Sequence, residues 1–349
     1  LARTRSIDSD FSFRRAESQV VAMSAILLTR RQITRLLTPT DCLQAVEAGF
    51  RATRLGGAHA PPPLHLAARD GGFHAKGAVM ERGRRAYAAV KLNANFPGNP
   101  ARGRPTIQGI VLLSDARTGA VLAIMDSIAI TRLRTAAASA LAARHLARVD
   151  ASVLCVVGCG AQALAHLAAL LEVRPIRTGH CHDIDRAKAA RFAAKARRDH
   201  GITFEITADV ASGAGASDIV VTCTTARSPI LGMDDVAPGG FVAAVGADSP
   251  DKSEIAPDLM AKARVVVDSL DQCVAMGDLR HAIAAGRMSR ADAHAELADV
   301  VTGARPGRTD AREIWVYDST GTAVQDVACA ALAFERARTE GIGLSIRLG

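Results

Sequence analysis

The strongest constraint in the chain is the stretch ASVLCVVGCGAQALAHLAALL, residues 151–171. There a run of buried-strand residues passes directly into Gly158, Gly160 and Ala163, and then into a helical pattern. Strand, glycine turn and helix in immediate succession are the local signature of a dinucleotide-binding βαβ unit. Gly158 permits the tight turn, Gly160 lets backbone approach a pyrophosphate, and Ala163 is small enough for the helix to lie close to the strand. Free N–H groups at the start of that helix then face the phosphates. Further β-branched runs at 153–157, 219–221, 241–245 and 265–267 alternate with helical segments, the pattern of a parallel sheet covered by helices. Residues 175–182 read as the second strand, and Asp183 follows 25 positions after Gly158, the interval at which an acid receives the adenine ribose hydroxyls. A carboxylate there selects NAD(H), while nearby Arg186 leaves NADP(H) possible. The competing reading makes Asp183 a cap of the following helix. His180 and His182 share one face of the strand, but no carboxylate or cysteine cluster joins them at ligand spacing, so no metal is expected.

A length of 349 residues favours two domains. The other one precedes the glycine loop. Thr29 and Thr40-Asp41 open helical segments, the second ended by Gly56-Gly57. Alternating runs at 73–80, 86–92, 107–113 and 120–125 then read as an antiparallel sheet, the last two joined by a hairpin over Asp115 to Gly119. An Ala-rich helix over 131–147 links the two domains. Residues 1–22 carry no periodicity and read as a disordered extension, with Met23 as the true first residue. The formal charge of +8 comes from scattered Lys and Arg, and aromatics make up only 3%, which excludes a stacking platform for nucleic acid. Seven cysteines without CxxC spacing argue against a disulfide framework or zinc site and fit a reducing cytoplasm. No apolar run approaches the ~20 residues that cross a bilayer.

Three chemical features stand where strands end or helices begin, the places where doubly wound enzymes build clefts. Asp248 follows the strand 241–245 in a small-residue turn, either as a local cap or as a general acid–base group. Arg134, in RLRT at the start of the Ala-rich helix, is either a surface arginine or a fork for a carboxylate. Lys91 in AVKLNANFPGNP either snorkels to water or serves a site.

Together these residues carry a resemblance to the ornithine cyclodeaminase and mu-crystallin family. The resemblance spans KLNANFPGNP, LAIMDS, ITRLRTAAASALAARHLA, VGCGAQA, DIVVTCTT, GGFVAAVGADSPDKSEI and GTAVQDVACAALAFERA, in the family's order. It implies an α/β protein: a Rossmann-type doubly wound domain over 141–312, and an α+β substrate-binding and dimerisation domain over 23–140 with 313–349. It also implies a homodimer acting on small amino or imino acids. Lys91 and Arg134 would hold the substrate carboxylate, and Asp248 would act on the amino or imino nitrogen. Arg134, Thr135, Gly158, Gly160, Ala161, Gln162 and Asp183 would contact the cofactor, with Thr222, Cys223 and Thr224 along it. The implied chemistry is hydride transfer between nicotinamide and an α-carbon.

Two departures from the family pattern shape the expectation. The Pro-rich segment HAPPPLHLAAR lacks the usual arginine, with His59, His65 and Arg69 as the substitutes at hand. Where cyclodeaminases place a glutamate for the substrate's side-chain ammonium, this chain has Lys76, which reads either as a like charge that disfavours ornithine or as a solvent-facing sheet lysine. The expectation is therefore an imino-acid reductase or amino-acid dehydrogenase. Ornithine cyclodeaminase proper is the alternative, and a non-catalytic dinucleotide binder the lesser one.

Overall fold

The computed structural model describes residues 24–348, so the extension expected over 1–22 lies outside the described residues. Two eight-stranded sheets organise the described residues. In the first, Gly71–Arg82, Arg85–Asn95, Ile107–Asp115 and Val121–Asp126 pair antiparallel in sequence order, as the alternation predicts. Asp115 organises the hairpin between the last two, accepting from the N–H groups of Arg117 and Thr118. Strand alternation gives this sheet two different faces. Val79, Val90, Leu92 and Ile110 are exposed on the outer one. Lys76 and Lys91, directly opposed across two strands, point to the inner face under the helices Ser127–Leu146 and Ala323–Glu340. At the far edge Ser24–Leu28 pairs with both Val121–Asp126 and Leu344–Arg347.

The second sheet is parallel, in the order Thr203–Ile206, Thr178–His182, Val153–Val157, Ile219–Thr222, Phe241–Ala244, Trp315–Asp318, Arg264–Val267, Ala295–Glu296. Strand order reverses between Val153–Val157 and Ile219–Thr222, and at such a switch point the two following loops part into a crevice. Here those loops begin at Gly158 and at Cys223.

Two sequence boundaries move. Trp315–Asp318, expected to return to the first domain, lies inside the parallel sheet between Phe241–Ala244 and Arg264–Val267. All four of its residues are buried, as a strand covered on both faces must be. The chain rejoins the first sheet only after Asp318, through the helix Ala323–Glu340 and the strand Leu344–Arg347. The Ala-rich helix begins at Ser127, where Asp126 caps it by accepting from the Ala129 N–H, and runs unbroken through position 140. Its alanines 136–138, 140, 142 and 143 are buried, and their small side chains let it pack against Pro39–Arg54, Ala163–Leu171 and Ala323–Glu340. Among the described residues no helix is long and apolar enough to cross a membrane.

Candidate active site

At the switch point the glycine loop adopts the geometry its residues imply. Gly158 has φ +92°, and a Cβ on it would stand 2.9 Å from the Cys223 carbonyl oxygen. Only glycine fits there. Nothing lies within 4 Å of a Cβ placed on Gly160, so backbone there is open to approach. Ala163 is fully buried where the helix Ala163–Leu171 begins, and the buried Gln162 Oε1 just before it has no hydrogen-bond partner among the described residues. Beside Ala161 these groups form a cradle that fits a pyrophosphate.

Asp183 closes the loop from the neighbouring strand, accepting from the Cys159 N–H at 2.8 Å and the Asp185 N–H at 2.8 Å. The helix cap is Asp185, which accepts from Ala187 and Lys188. Of the two readings of Asp183, the cap is thus withdrawn. Cys223 faces the same loop, its thiol donating to the Gly158 carbonyl at 3.0 Å. Thr135 is buried and donates to the Thr131 carbonyl at 2.6 Å. His180 lies 3.7 Å from Glu205, and His182 contacts the Thr207 carbonyl instead of sharing a ligand with it.

The structure brings Lys76, Lys91 and Arg134 together over one buried acid that sequence reasoning missed, Asp326. Lys91 Nζ lies 2.6 Å from Asp326 Oδ2, and Arg134 Nε donates to Asp326 Oδ1 at 3.0 Å. Arg134 Nη1 donates to Gln325 Oε1 at 2.9 Å. The guanidinium lies over Gly321, where a Cβ would come within 2.5 Å of it. Burial pushes the Lys91 ammonium down to about 7, Arg134 and Lys76 push the same way, and Asp326 opposes them. Asp326 itself stays below the usual carboxylate range because Lys91 and Arg134 outweigh its burial. The surface reading of Arg134 and the snorkelling reading of Lys91 both fail: each is at most 5% exposed.

Lys76 is not a solvent-facing lysine either. Its Nζ donates to the carbonyls of Thr320 at 3.0 Å and Gly321 at 2.8 Å. That turn is held from below by Asp268, which accepts from the Gly321 N–H at 2.6 Å and from the hydroxyls of Ser319 and Thr320. Of the three substitutes considered for the missing arginine, His65 approaches this region, its Nδ1 lying 3.4 Å from Nδ1 of His74.

Asp248 stands in the turn after Phe241–Ala244, with its side chain 54% exposed and its Oδ1 2.5 Å from Lys252 Nζ. Partial burial works to raise its pKa, but Lys252, then Lys76 and His74, hold the carboxyl below its ordinary range. Asp248 is therefore an anion at neutral pH. The turn is anchored by a second missed residue, Glu254. Its carboxyl accepts from the N–H and hydroxyl of Thr224, the Thr222 hydroxyl and the Gly246 N–H. One carboxyl thus ties together the ends of the adjacent strands Ile219–Thr222 and Phe241–Ala244. Burial pushes Glu254 up to about 6, with Asp278 adding to the shift and the Thr224 hydrogen bond opposing it.

Comparison with known proteins agrees with this geometry. The sequence profile of the ornithine cyclodeaminase/mu-crystallin family matches residues 23–341. An alanine dehydrogenase from Archaeoglobus fulgidus is 36% identical over 325 residues, covering 93% of this chain and 99% of that one. An archaeal alanine dehydrogenase dimer with bound NAD superposes with a TM-score of 0.89 at 34% identity, covering 94% of this chain and 100% of that chain. The Δ1-pyrroline-2-carboxylate reductase of Thermococcus litoralis, in complex with NADH and L-proline, gives a TM-score of 0.89 at 31% identity, covering 92% of this chain and 100% of that one. With its two-sheet fold, its glycine cradle and this coverage, the chain belongs to the ornithine cyclodeaminase/mu-crystallin family.

Proposed function

We propose that this protein is an NAD(H)-dependent enzyme that transfers hydride at the α-carbon of an amino acid or its imine, working as an imino-acid reductase or, in reverse, an amino-acid dehydrogenase. The observation that carries this reading is the buried pairing of Lys91 and Arg134 on Asp326, with Lys76 beside them acting on both Arg134 and anionic Asp248. The relatives that bind NAD or NADH and act on alanine or pyrroline-2-carboxylate support it. When bound, the nicotinamide supplies or accepts the hydride. Lys91 and Arg134 orient the substrate carboxylate, and Asp326 between them keeps both cations in place. Asp248 faces the nitrogen, where its negative charge favours the protonated imine that accepts hydride and, in the oxidative direction, takes the proton from the ammonium. The pairing of these groups with NAD(H) and free imino acids suits the cytoplasm.

The reading is tested by following NADH absorbance with pyrroline-2-carboxylate or with pyruvate plus ammonia, beside ornithine and NAD⁺ assayed for proline. NADH oxidation by an imine supports it. Redox-neutral proline formation from ornithine overturns it in favour of a cyclodeaminase. Lys76 weighs against that outcome, because two like charges about 4 Å apart repel by about 4 kcal/mol at an effective dielectric near 20.

Three expected results bear on the parts. Gly158→Ala places a Cβ against the Cys223 carbonyl in a left-handed conformation, and should weaken NADH binding about tenfold or more in a fluorescence titration. Unchanged affinity would remove this turn from the cofactor site. Lys91, with its pKa near 7, is a cation below that value and loses its charge as pH rises through it. The inhibition constant of pyrrole-2-carboxylate, a non-reducible carboxylate, should therefore be flat below about pH 7 and rise toward tenfold per unit above it. In Lys91→Arg, whose guanidinium stays charged, the rise should vanish. Finally, Leu66, Val79, Val90, Leu92 and Ile110 make an exposed apolar face on the sheet, opposite the face that carries Lys91. This face pairs two subunits. Leu92→Glu should then elute as a monomer in size-exclusion chromatography with light scattering, where the unaltered protein elutes as a dimer.

A further inference from the structure

Charge is unevenly matched around the crevice. Lys76, Lys91, Arg134 and Lys252 share it with two carboxylates, Asp326 and Asp248. Burial and then Arg134 lower the pKa of Lys76, while Asp248, Asp326 and a third carboxylate, Asp268 behind the Ser319–Gly321 turn with N–H and hydroxyl donors already on its oxygens, oppose the shift. Lys91 and Arg134 share Asp326, and Lys252 holds Asp248. Lys76 alone has no carboxylate within ion-pair distance among the described residues, since its two hydrogen bonds go to backbone carbonyls. Three N–H bonds on an ammonium leave one for a ligand.

A protonated imine with one carboxylate brings no net charge, so it satisfies Lys91 and Arg134 and leaves Lys76 as it was. Resting on the hydride-transfer reading above, we propose that the preferred substrate carries a second carboxylate, and that Lys76, flanked by His74 and Lys252, receives it. The Cβ atoms of directly opposed cross-strand residues stand about 5 Å apart, and Lys76 is directly opposed to Lys91. The two lysines thus rise from neighbouring points of one face, Lys91 ending on Asp326 and Lys76 on the Thr320 and Gly321 carbonyls, so that a short dicarboxylic acid can turn one carboxylate toward Arg134 and Lys91 and the other toward Lys76. His74 lies two residues before Lys76 on the same face of the same strand and acts within the field of Asp248, Lys76 and Lys252. Burial, then His65 and the two lysines, keep its imidazole neutral, so it offers hydrogen bonding without changing the charge balance.

The test compares kcat/KM, with NADH, for the imine of oxaloacetate and the imine of pyruvate, each formed in situ with ammonia, and for pyrroline-2-carboxylate. The dicarboxylic imine should lead by about tenfold or more, as one charge-assisted hydrogen bond allows. Lys76→Met should lower kcat/KM for the dicarboxylic imine about 10- to 100-fold more than for the monocarboxylic imines, mainly through KM, on top of any loss both classes share through Asp248. His74→Gln should move the same ratio in the same direction by a smaller factor. On the unaltered protein, succinate should inhibit at least about tenfold more tightly than propionate, a result that does not depend on any variant folding. Equal or better turnover of the monocarboxylic imines, or an equal loss of both classes in Lys76→Met, overturns the second-carboxylate assignment while hydride transfer stands. Saturable NADH binding without turnover of any imine overturns the hydride-transfer reading itself, and the assignment with it.

Discussion

Asp248→Asn lowers kcat for imine reduction by about 10²- to 10⁴-fold, the usual contribution of a positioned acid–base group, and leaves NADH affinity unchanged. The amide keeps the shape of the side chain but removes its negative charge and its capacity to take a proton. Three cations or polar groups hold this carboxyl in its ionised form: Lys252 at 2.5 Å, then Lys76 and His74. A neutral amide forfeits the preference for a protonated imine that those neighbours sustain. Steady-state rates at saturating NADH, with a separate fluorescence titration of NADH, distinguish lost chemistry from lost binding. Turnover within a few fold of the unaltered protein would assign the acid–base role to another group.

The second large effect is on stability. Asp326→Asn should cost about 3–5 kcal/mol of unfolding free energy, since removing one partner of a buried charge cluster leaves the others uncompensated. Arg134 bears most of that penalty, because a guanidinium cannot shed its proton, whereas Lys91, already lowered to about 7, can. Urea unfolding of Asp326→Asn, Arg134→Gln and the double variant closes a thermodynamic cycle. The double variant should lose about 1–3 kcal/mol less than the sum of the single ones, the coupling expected of groups in direct contact. A single-variant loss below about 1 kcal/mol would mean that the acid is incidental to both cations.

What could be read from the chain follows the range of the interactions involved. The glycine loop was legible because its cause is local: strand, turn and helix occupy consecutive residues, and the positive φ of Gly158 demands glycine at one position. The strand carrying Lys91 was legible but its facing was not, because alternation in AVKLN would turn Val90 and Leu92 inward, whereas they face outward and Lys91 inward. Asp326 was not legible, because its partner Arg134 is 192 positions away and nothing in VQDVACAAL says which helix face meets the lysines. Its signal was nonetheless present: Asp326 is the one charged residue in the Ala-rich run VQDVACAAL, and an acid buried with such a run needs a cation. Trp315–Asp318 was placed in the wrong sheet because strand propensity does not state which neighbours a strand will find. Its unbroken apolar run, rather than an alternating one, was the mark of a parallel-sheet interior. The role of Lys76 stood between surface and site until the Thr320 and Gly321 carbonyls appeared opposite it, 244 and 245 positions along the chain.

The pairing of Ser24–Leu28 with Leu344–Arg347 has a consequence for how the molecule is made. During synthesis the parallel sheet is complete once Asp318 has emerged, because all of its strands lie between Val153 and that residue. The other sheet keeps an open edge until the last strand arrives. Loop closure grows only slowly in entropic cost with length, so the delay is one of time more than of stability. The nascent chain thus holds a finished nucleotide fold while Lys91 and Arg134 still await Asp326, so the buried charge cluster is assembled after the sheet that would hold the dinucleotide.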